Sequence, residues 1–285
     1  MHLPAPDEPR THDHGAAPAP ADAPPGQDAV RPSARWLSAL HDTSARLRAL
    51  AAPLSADDLT RPSCASGWTV AQVLSHLGSA AEICADLVRR GLAGDERGPR
   101  REELTPVWER WDALDPAGQR RSWLDADAAH LDLLDSVTAA READLSIPYF
   151  AGPMELSTYL GYRLSVQALH GWDAEAAFDR AAAVAHPGLV WERLDLVVSR
   201  FHAAEARAAL APRRIALRHG GAEDHLDVGA ELHLVAGPVA KPATTVTGTT
   251  DALLRLVYGR SRPADAVEVT GAGSRADLVA LFPGF

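Results

Sequence analysis

Gly67-Trp68-Thr69-Val70-Ala71-Gln72-Val73-Leu74-Ser75-His76-Leu77 opens a strongly periodic segment of this 285-residue chain. From Thr69 to about Arg90, Val70, Val73, Leu74, Leu77, Ala81, Cys84 and Val88 recur at helical spacing and form one apolar stripe. Ala80, Ile83 and Leu87 form an adjoining stripe, and at about 100° per residue His76 falls on that line. The spacing predicts a helix that stops at Gly91 and turns the His76 imidazole into a bundle, or into a cavity within one. A second phrase, Arg163-Leu164-Ser165-Val166-Gln167-Ala168-Leu169-His170-Gly171-Trp172-Asp173, repeats the pattern. It lies in a helix predicted from Glu155 to Phe178, on which Tyr159, Arg163, Val166, His170, Asp173 and Ala177 share one face.

Two more amphipathic helices flank these. Trp36, Leu37, Leu40, Leu47 and Leu50 define one from Ala34 to just before Pro53. Trp123, Ala126, His130, Leu133, Leu134 and Val137 define another from Pro116 to about Ala143. Four such helices with modest connections pack most simply as a four-helix bundle, assigned to residues 33–211, with a fifth helix from Gly188 to Ala209 as a bridge. After Pro212 the period shortens. Arg214–Arg218, Glu231–Ala236, Thr244–Thr247 and Ala266–Thr270 read as strands, and Asp251–Gly259 and Ser274–Phe282 as helices. Residues 212–285 are therefore expected to form a small α+β domain, whose strand order the spacing leaves open. Residues 1–32, rich in Pro, Ala, Asp and His (His12 and His14 among them), lack periodicity and are expected to be a disordered tail.

A formal net charge of −10 argues against a nucleic-acid partner or an anionic membrane surface, either of which needs a basic face; Lys241 is the only lysine. Two cysteines, Cys64 and Cys84, make no disulfide framework, and Cys84, between Ile83 and Leu87, reads as a small core residue rather than a nucleophile. With no apolar secretory segment at its start and no apolar run of roughly 18 residues, the chain is expected to be a soluble cytoplasmic protein.

Two neutral imidazoles on facing helices can hold Zn, Fe, Ni or Co, or they can be satisfied core residues. A third ligand one turn before His170 would complete an open catalytic site, but that position is Val166, which has no lone pair. Gln167 is about 100° out of phase and is a poor substitute. Arg163 and Asp173 on an otherwise apolar face are costly to bury unless paired. Either Arg163 pairs with an acid on a neighbouring helix while Asp173 orients His170, or Arg163 steers an anion into the bundle mouth. Trp68 and Trp172 read as core packing or as walls of a cleft.

These phrases together resemble the mycothiol-dependent maleylpyruvate isomerase family of the DinB-like superfamily. The likeness rests on Asp58-Leu59, the Pro62-Ser63 turn, Gly67-Trp68-Thr69-Val70 and Val73-Leu74-Ser75-His76-Leu77 around the first histidine. Around the second it rests on Gly152-Pro153-Met154-Glu155-Leu156, Arg163-Leu164 and His170-Gly171-Trp172-Asp173-Ala174. Val246-Thr247-Gly248-Thr249, Asp251-Ala252-Leu253-Leu254, Gly259-Arg260 and Val267-Glu268-Val269-Thr270-Gly271 are similar to the family's C-terminal domain. The resemblance implies a DinB-like four-helix bundle followed by a sterol-carrier-like α+β domain. It also implies a divalent metal, typically zinc, held by a histidine, a glutamate and a second histidine, and mycothiol as the thiol cofactor. His76 and His170 match the two histidines; the place of the glutamate is Val166; Arg260 matches an arginine near the cleft that could meet a carboxylate.

The implied chemistry is metal-assisted thiolate addition to a small, carboxylate-bearing electrophile, ending in isomerisation or S-transfer. Arg163, Asp173 and Arg260 are the expected catalytic groups, a small molecule and a low-molecular-weight thiol the expected partners, and a homodimer is possible for such bundles. Val166 keeps two alternatives open: a metal-free acid–base enzyme, and a small-ligand binding protein of secondary metabolism.

Overall fold

Two of the long helices begin where the sequence supplies a side-chain cap, Thr69 in one and Asp115 in the other. The computed structural model of the chain describes residues 31–150 and 152–284, so the expected disordered tail and His12 and His14 lie outside the described residues, Arg31 and Pro32 apart. The first half holds helices α1 (Ala34–Ala51), α2 (Ala56–Thr60), α3 (Val70–Leu92), α4 (Arg101–Asp112), α5 (Pro116–Asp135) and α6 (Ala139–Glu142). A short antiparallel hairpin, β1 (Ser146–Tyr149) and β2 (Gly152–Glu155), leads into α7 (Leu156–Glu175). At the start of α3 the Thr69 hydroxyl accepts from the Gln72 N–H while the Gln72 side chain accepts from the Thr69 N–H, satisfying two orphan donors reciprocally. Asp115 caps α5 one way only, its carboxylate accepting from the Gly118 N–H, and Pro116 opens the helix.

Helices α1, α3, α5 and α7 are the four members of the expected bundle. Gly91 does not end α3; the helix runs on to Leu92. A Cβ on Gly91 would lie 2.5 Å from the Ser146 carbonyl oxygen, so the glycine is there to let β1 approach the helix. The helix expected over Pro116–Ala143 breaks after Asp135 and resumes as α6, and the expected bridging helix is three short pieces, α8 (Pro187–Trp191), α9 (Asp195–Val198) and α10 (Ala204–Leu210). Helix α4 was not foreseen: only Leu104 and Trp111 of it are buried, too few for an apolar stripe.

The remaining elements are β3 (Arg213–His219), β4 (Ala222–Val228), β5 (Leu232–Ala236), β6 (Thr244–Gly248), α11 (Thr250–Val257), β7 (Val267–Gly271) and α12 (Arg275–Leu281). They form one five-stranded sheet in the order β5-β4-β3-β6-β7, antiparallel except where β6 runs parallel to β3. Strand β4, Ala-Glu-Asp-His-Leu-Asp-Val, carries too few apolar residues to have been read from sequence. One hydrophobic cluster runs from Trp36 through Tyr159, Leu194 and Leu254 to Phe282, so bundle and sheet share a core across the expected boundary at residue 212. No helix among the described residues is long and apolar enough to cross a membrane.

Helix α4 is tied to α3 by hydrogen bonds from Arg110 and Trp111 to Glu82 and from Arg90 to Glu103, and the seam is tightest at Gly78, where an added Cβ would lie 2.2 Å from Trp111 Cη2. Gly78→Ala is expected to overpack this seam and cost about 1–3 kcal/mol, read as a lower urea midpoint with an unchanged slope.

Candidate functional site

The loop between α2 and α3 is folded by its own polar groups and then docked on the end of α7. Ser63 N–H and Oγ both donate to the Trp68 carbonyl at 2.9 Å, and Trp68 N–H donates to the Ala65 carbonyl at 3.1 Å. Gly67 takes the left-handed turn position at φ +79°. Cys64 N–H donates to the Asp173 carbonyl at 2.9 Å, filling one of the acceptors that a helix leaves open in its last turn. This docking carries the Trp68 indole against both histidines: its ring lies 5.1 Å from that of His76 and is stacked at 5.8 Å and 22° on that of His170. The two imidazoles meet edge to face, 4.6 Å apart. Residues 76 and 170, on separate helices, are thus brought to one place.

Behind His170 lies a buried charge. Its Nδ1 is 2.9 Å from Asp173 Oδ2, and since a carboxylate only accepts, Nδ1 is the donor and Nε2 is left outside that bond. Arg260, from the segment after α11, donates through Nε to Asp173 Oδ1 at 3.3 Å and through Nη2 to Oδ2 at 3.2 Å. Side-chain exposure falls from 12 % at His170 to 8 % at Arg260 and 0 % at Asp173, so the acid reaches the cavity only through its two partners. Helix α11 and the segment after it grip α7 again at Trp172, over whose ring Arg255 and Arg262 lie at 5.1 and 5.0 Å.

A cavity of about 240 Å³ opens here, lined by Cys64, Trp68, His170, Arg260, Pro283 and Gly284 among others. Burial, with the charges of His170, Arg163 and Arg260 added to it, pushes the His76 imidazole down to about 3, against a smaller opposing pull from Asp173. His76 is therefore neutral at physiological pH. The Cys64 thiol is pushed up, by burial first and then by the Asp173 carboxylate, so it stays protonated and is no ready nucleophile.

Arg163 is not at the cavity. It is 1 % exposed, with Cys84, Tyr159, Tyr149 and Asp127 as its electrostatic neighbours. Seven residues separate it from His170, about 10 Å along a helix, so one face in projection is two depths in the bundle. Neither sequence reading of Arg163 describes its surroundings: it forms no ion pair among the described residues and it faces no mouth. Around it His130 Nε2 meets the Tyr159 hydroxyl at 2.6 Å, and burial together with Arg163 drives His130 well below its usual range. Arg260 was expected to meet a substrate carboxylate; the structure gives it Asp173 as a partner.

The metal implied by the resemblance needs three donors. Val166 packs among apolar neighbours, and no group of three His, Cys, Asp or Glu among the described residues is placed to hold an ion. The donor set is one ligand short of such a site. Cys64, Pro283 and Gly284 escaped the sequence reading. The first sits in a turn with no periodicity, and the other two lie more than a hundred residues from either histidine.

Comparison with known proteins comes to the same fold. The family model of the mycothiol maleylpyruvate isomerase N-terminal domain matches residues 40–175. The crystal structure of a mycothiol-dependent maleylpyruvate isomerase superposes with a TM-score of 0.61 at 15 % identity, over 85 % of this chain and 94 % of that one. A histidine-to-alanine mutant of such an isomerase superposes equally well, with a TM-score of 0.61 at 14 % identity over the same shares. No curated protein matches the sequence.

Acid should reveal the buried imidazoles. The folded value of His76 is depressed, so its contribution is fully present above about 6.5 and is lost as pH falls toward about 3. Ring-carbon chemical shifts measured by NMR should show His76 neutral at pH 5. Stability should fall below pH 6.5 by up to about 1.4 kcal/mol per pH unit for each such histidine.

Proposed function

We propose that this chain, whose residues 40–175 carry the mycothiol maleylpyruvate isomerase N-terminal domain, is a thiol-dependent isomerase or S-transferase acting on a small, carboxylate-bearing electrophile. The observation that carries the reading is the His170–Asp173–Arg260 chain, buried at one end and open to a cavity at the other. With the third metal ligand replaced by Val166, the reaction is assigned to this chain of side chains.

Thiol activation is a proton transfer. A bound low-molecular-weight thiol, mycothiol in the family, gives its proton to His170 Nε2; the imidazolium that results is matched by the Asp173 carboxylate on Nδ1. Asp173 fixes the tautomer and the ring angle, and the Arg260 guanidinium keeps the carboxylate from turning away. The thiolate then adds to an electrophilic carbon of an activated alkene, whose π electrons move toward the carbonyl group. If the bond to sulfur breaks after rotation about the former double bond, the product is the cis–trans isomer. If the carbanion instead takes the proton back from His170, the product is the thioether. The Trp68 indole offers an apolar wall for the unsaturated part of the substrate. His76, held neutral against His170, limits the charge the pair can carry and keeps the His170 ring in place.

His170→Ala and Asp173→Asn test this directly. With mycothiol and a maleyl-type electrophile, His170→Ala is expected to lower the rate of thiol addition by about 10²–10⁴-fold. Asp173→Asn should lower kcat while thiol binding, measured by calorimetry, persists. Unchanged turnover in both variants would refute the assignment. Val166→Glu is the complementary test: it restores a carboxylate one turn before His170, and zinc affinity should rise at least about tenfold if the pocket is only a ligand short.

A further inference from the structure

Three residues at the cavity have no part in the proton chain, yet their backbones are held together more tightly than any side chain would permit. Gly259 lies at φ +69°, and a Cβ placed on it would sit 2.3 Å from both Cα and N of Gly284 and 2.8 Å from the carbonyl carbon of Pro283. All three neighbouring atoms are backbone, so no rotamer change relieves the clash. Gly284 lies at φ +88°, again in the region that favours glycine. The segment that reaches over Gly259 is anchored behind by Phe282, 1 % exposed in the shared core, and by the Leu281 carbonyl, which accepts from Ala203 N–H at 2.9 Å. Ahead of that anchor, Pro283 and Gly284 line the cavity together with the loop of Cys64 and Trp68 and with Gly259 and Arg260.

We propose that Gly259, Pro283 and Gly284 form a size filter, a backbone strap seated on a bare Cα, that sets how bulky a molecule can reach His170. The absence of a side chain at residue 259 brings the strap down onto the Arg260 segment; the rigid Pro283 ring then stands as a fixed wall. Selectivity by bulk is accordingly decided by the end of the sheet-bearing half, whereas the proton chemistry belongs mainly to the bundle. The consequence for substrate choice rests on the function proposed above, but the geometry can be tested without any turnover.

The chain provides its own reporter, because it has two cysteines: Cys64, half-buried in the cavity wall, and Cys84, buried in the bundle. Labelling of the full chain at pH 8.5 with iodoacetamide and with a fluorescein maleimide, resolved by peptide mass spectrometry, gives a bulky-to-small rate ratio for Cys64. Cys84 reports any loss of the fold. In Gly259→Ala, which must lift the strap, and in a variant lacking residues 283–285, which keeps Phe282, the ratio is expected to rise about tenfold, equivalent to about 1.4 kcal/mol of relieved hindrance. Cys84 should stay unlabelled. If Gly259→Ala labels at Cys84 and so has not folded, the deletion variant and Pro283→Ala decide. An unchanged ratio in folded variants overturns the strap. Wild-type labelling with no thiol reaction at all would instead overturn the proposed function and leave the strap standing.

Discussion

A carboxylate with no solvent contact of its own, Asp173, is what the rest of the arrangement depends on. Leaving water is expensive for a charge, and the expense is recovered only if every lone pair finds a donor. Arg260 supplies two donors and His170 one, from opposite halves of the molecule. Its backbone carbonyl also receives the Cys64 N–H, so the same residue fixes the loop that carries Trp68. Helix α7, the loop before α3 and the segment after α11 are all registered on one amino acid. Removing either charge partner from such a pair leaves the other uncompensated, a loss of about 3–5 kcal/mol in comparable buried pairs. That penalty ties the fold to the site: what would disable His170 would also loosen the junction between bundle and sheet.

One substitution of chemistry distinguishes this pocket from the one its resemblance implied. Where a carboxylate ligand would stand, Val166 packs into the apolar cluster with Leu74 and Trp123. The acid that remains, Asp173, lies about two turns beyond residue 166 on α7 and stands behind one histidine instead of facing the pair as a ligand. An imidazole with an acid on Nδ1 has the same orientation whether its Nε2 serves a metal or a proton. Farther in, Arg163 sits in a second polar layer with His130, Tyr149 and Tyr159. Its charge reaches both His76 and His130 and disfavours their protonation, so it acts on the site through the field rather than by contact.

The bundle was legible because its cause is local. Val70, Val73, Leu74 and Leu77 recur at the spacing of a helix, Thr69 and Gln72 write its cap, and the same holds for Asp115 and Pro116 at α5. Elements that bury few apolar residues, such as α4 with Leu104 and Trp111 or β4 with Leu226 and Val228, left no such trace. The meaning of Gly91 was misread for a related reason: a glycine that ends a helix and a glycine that admits a neighbouring strand look the same in one dimension, and only the Ser146 carbonyl tells them apart.

What the sequence determined by itself was periodicity, capping and the chemical identity of each group. It put His76 and His170 on inward faces and showed Val166 in the place of a ligand. Tertiary structure decided depth and partnership: that Arg163 lies two turns below the cavity, that Arg260 closes on Asp173, and that Pro283 and Gly284 wall a pocket whose histidines are more than a hundred residues away. The physical reason is that helical phase follows from a repeat of a few residues. Which buried charge meets which depends on loop docking and on backbone contacts between distant segments, and those have no period to read.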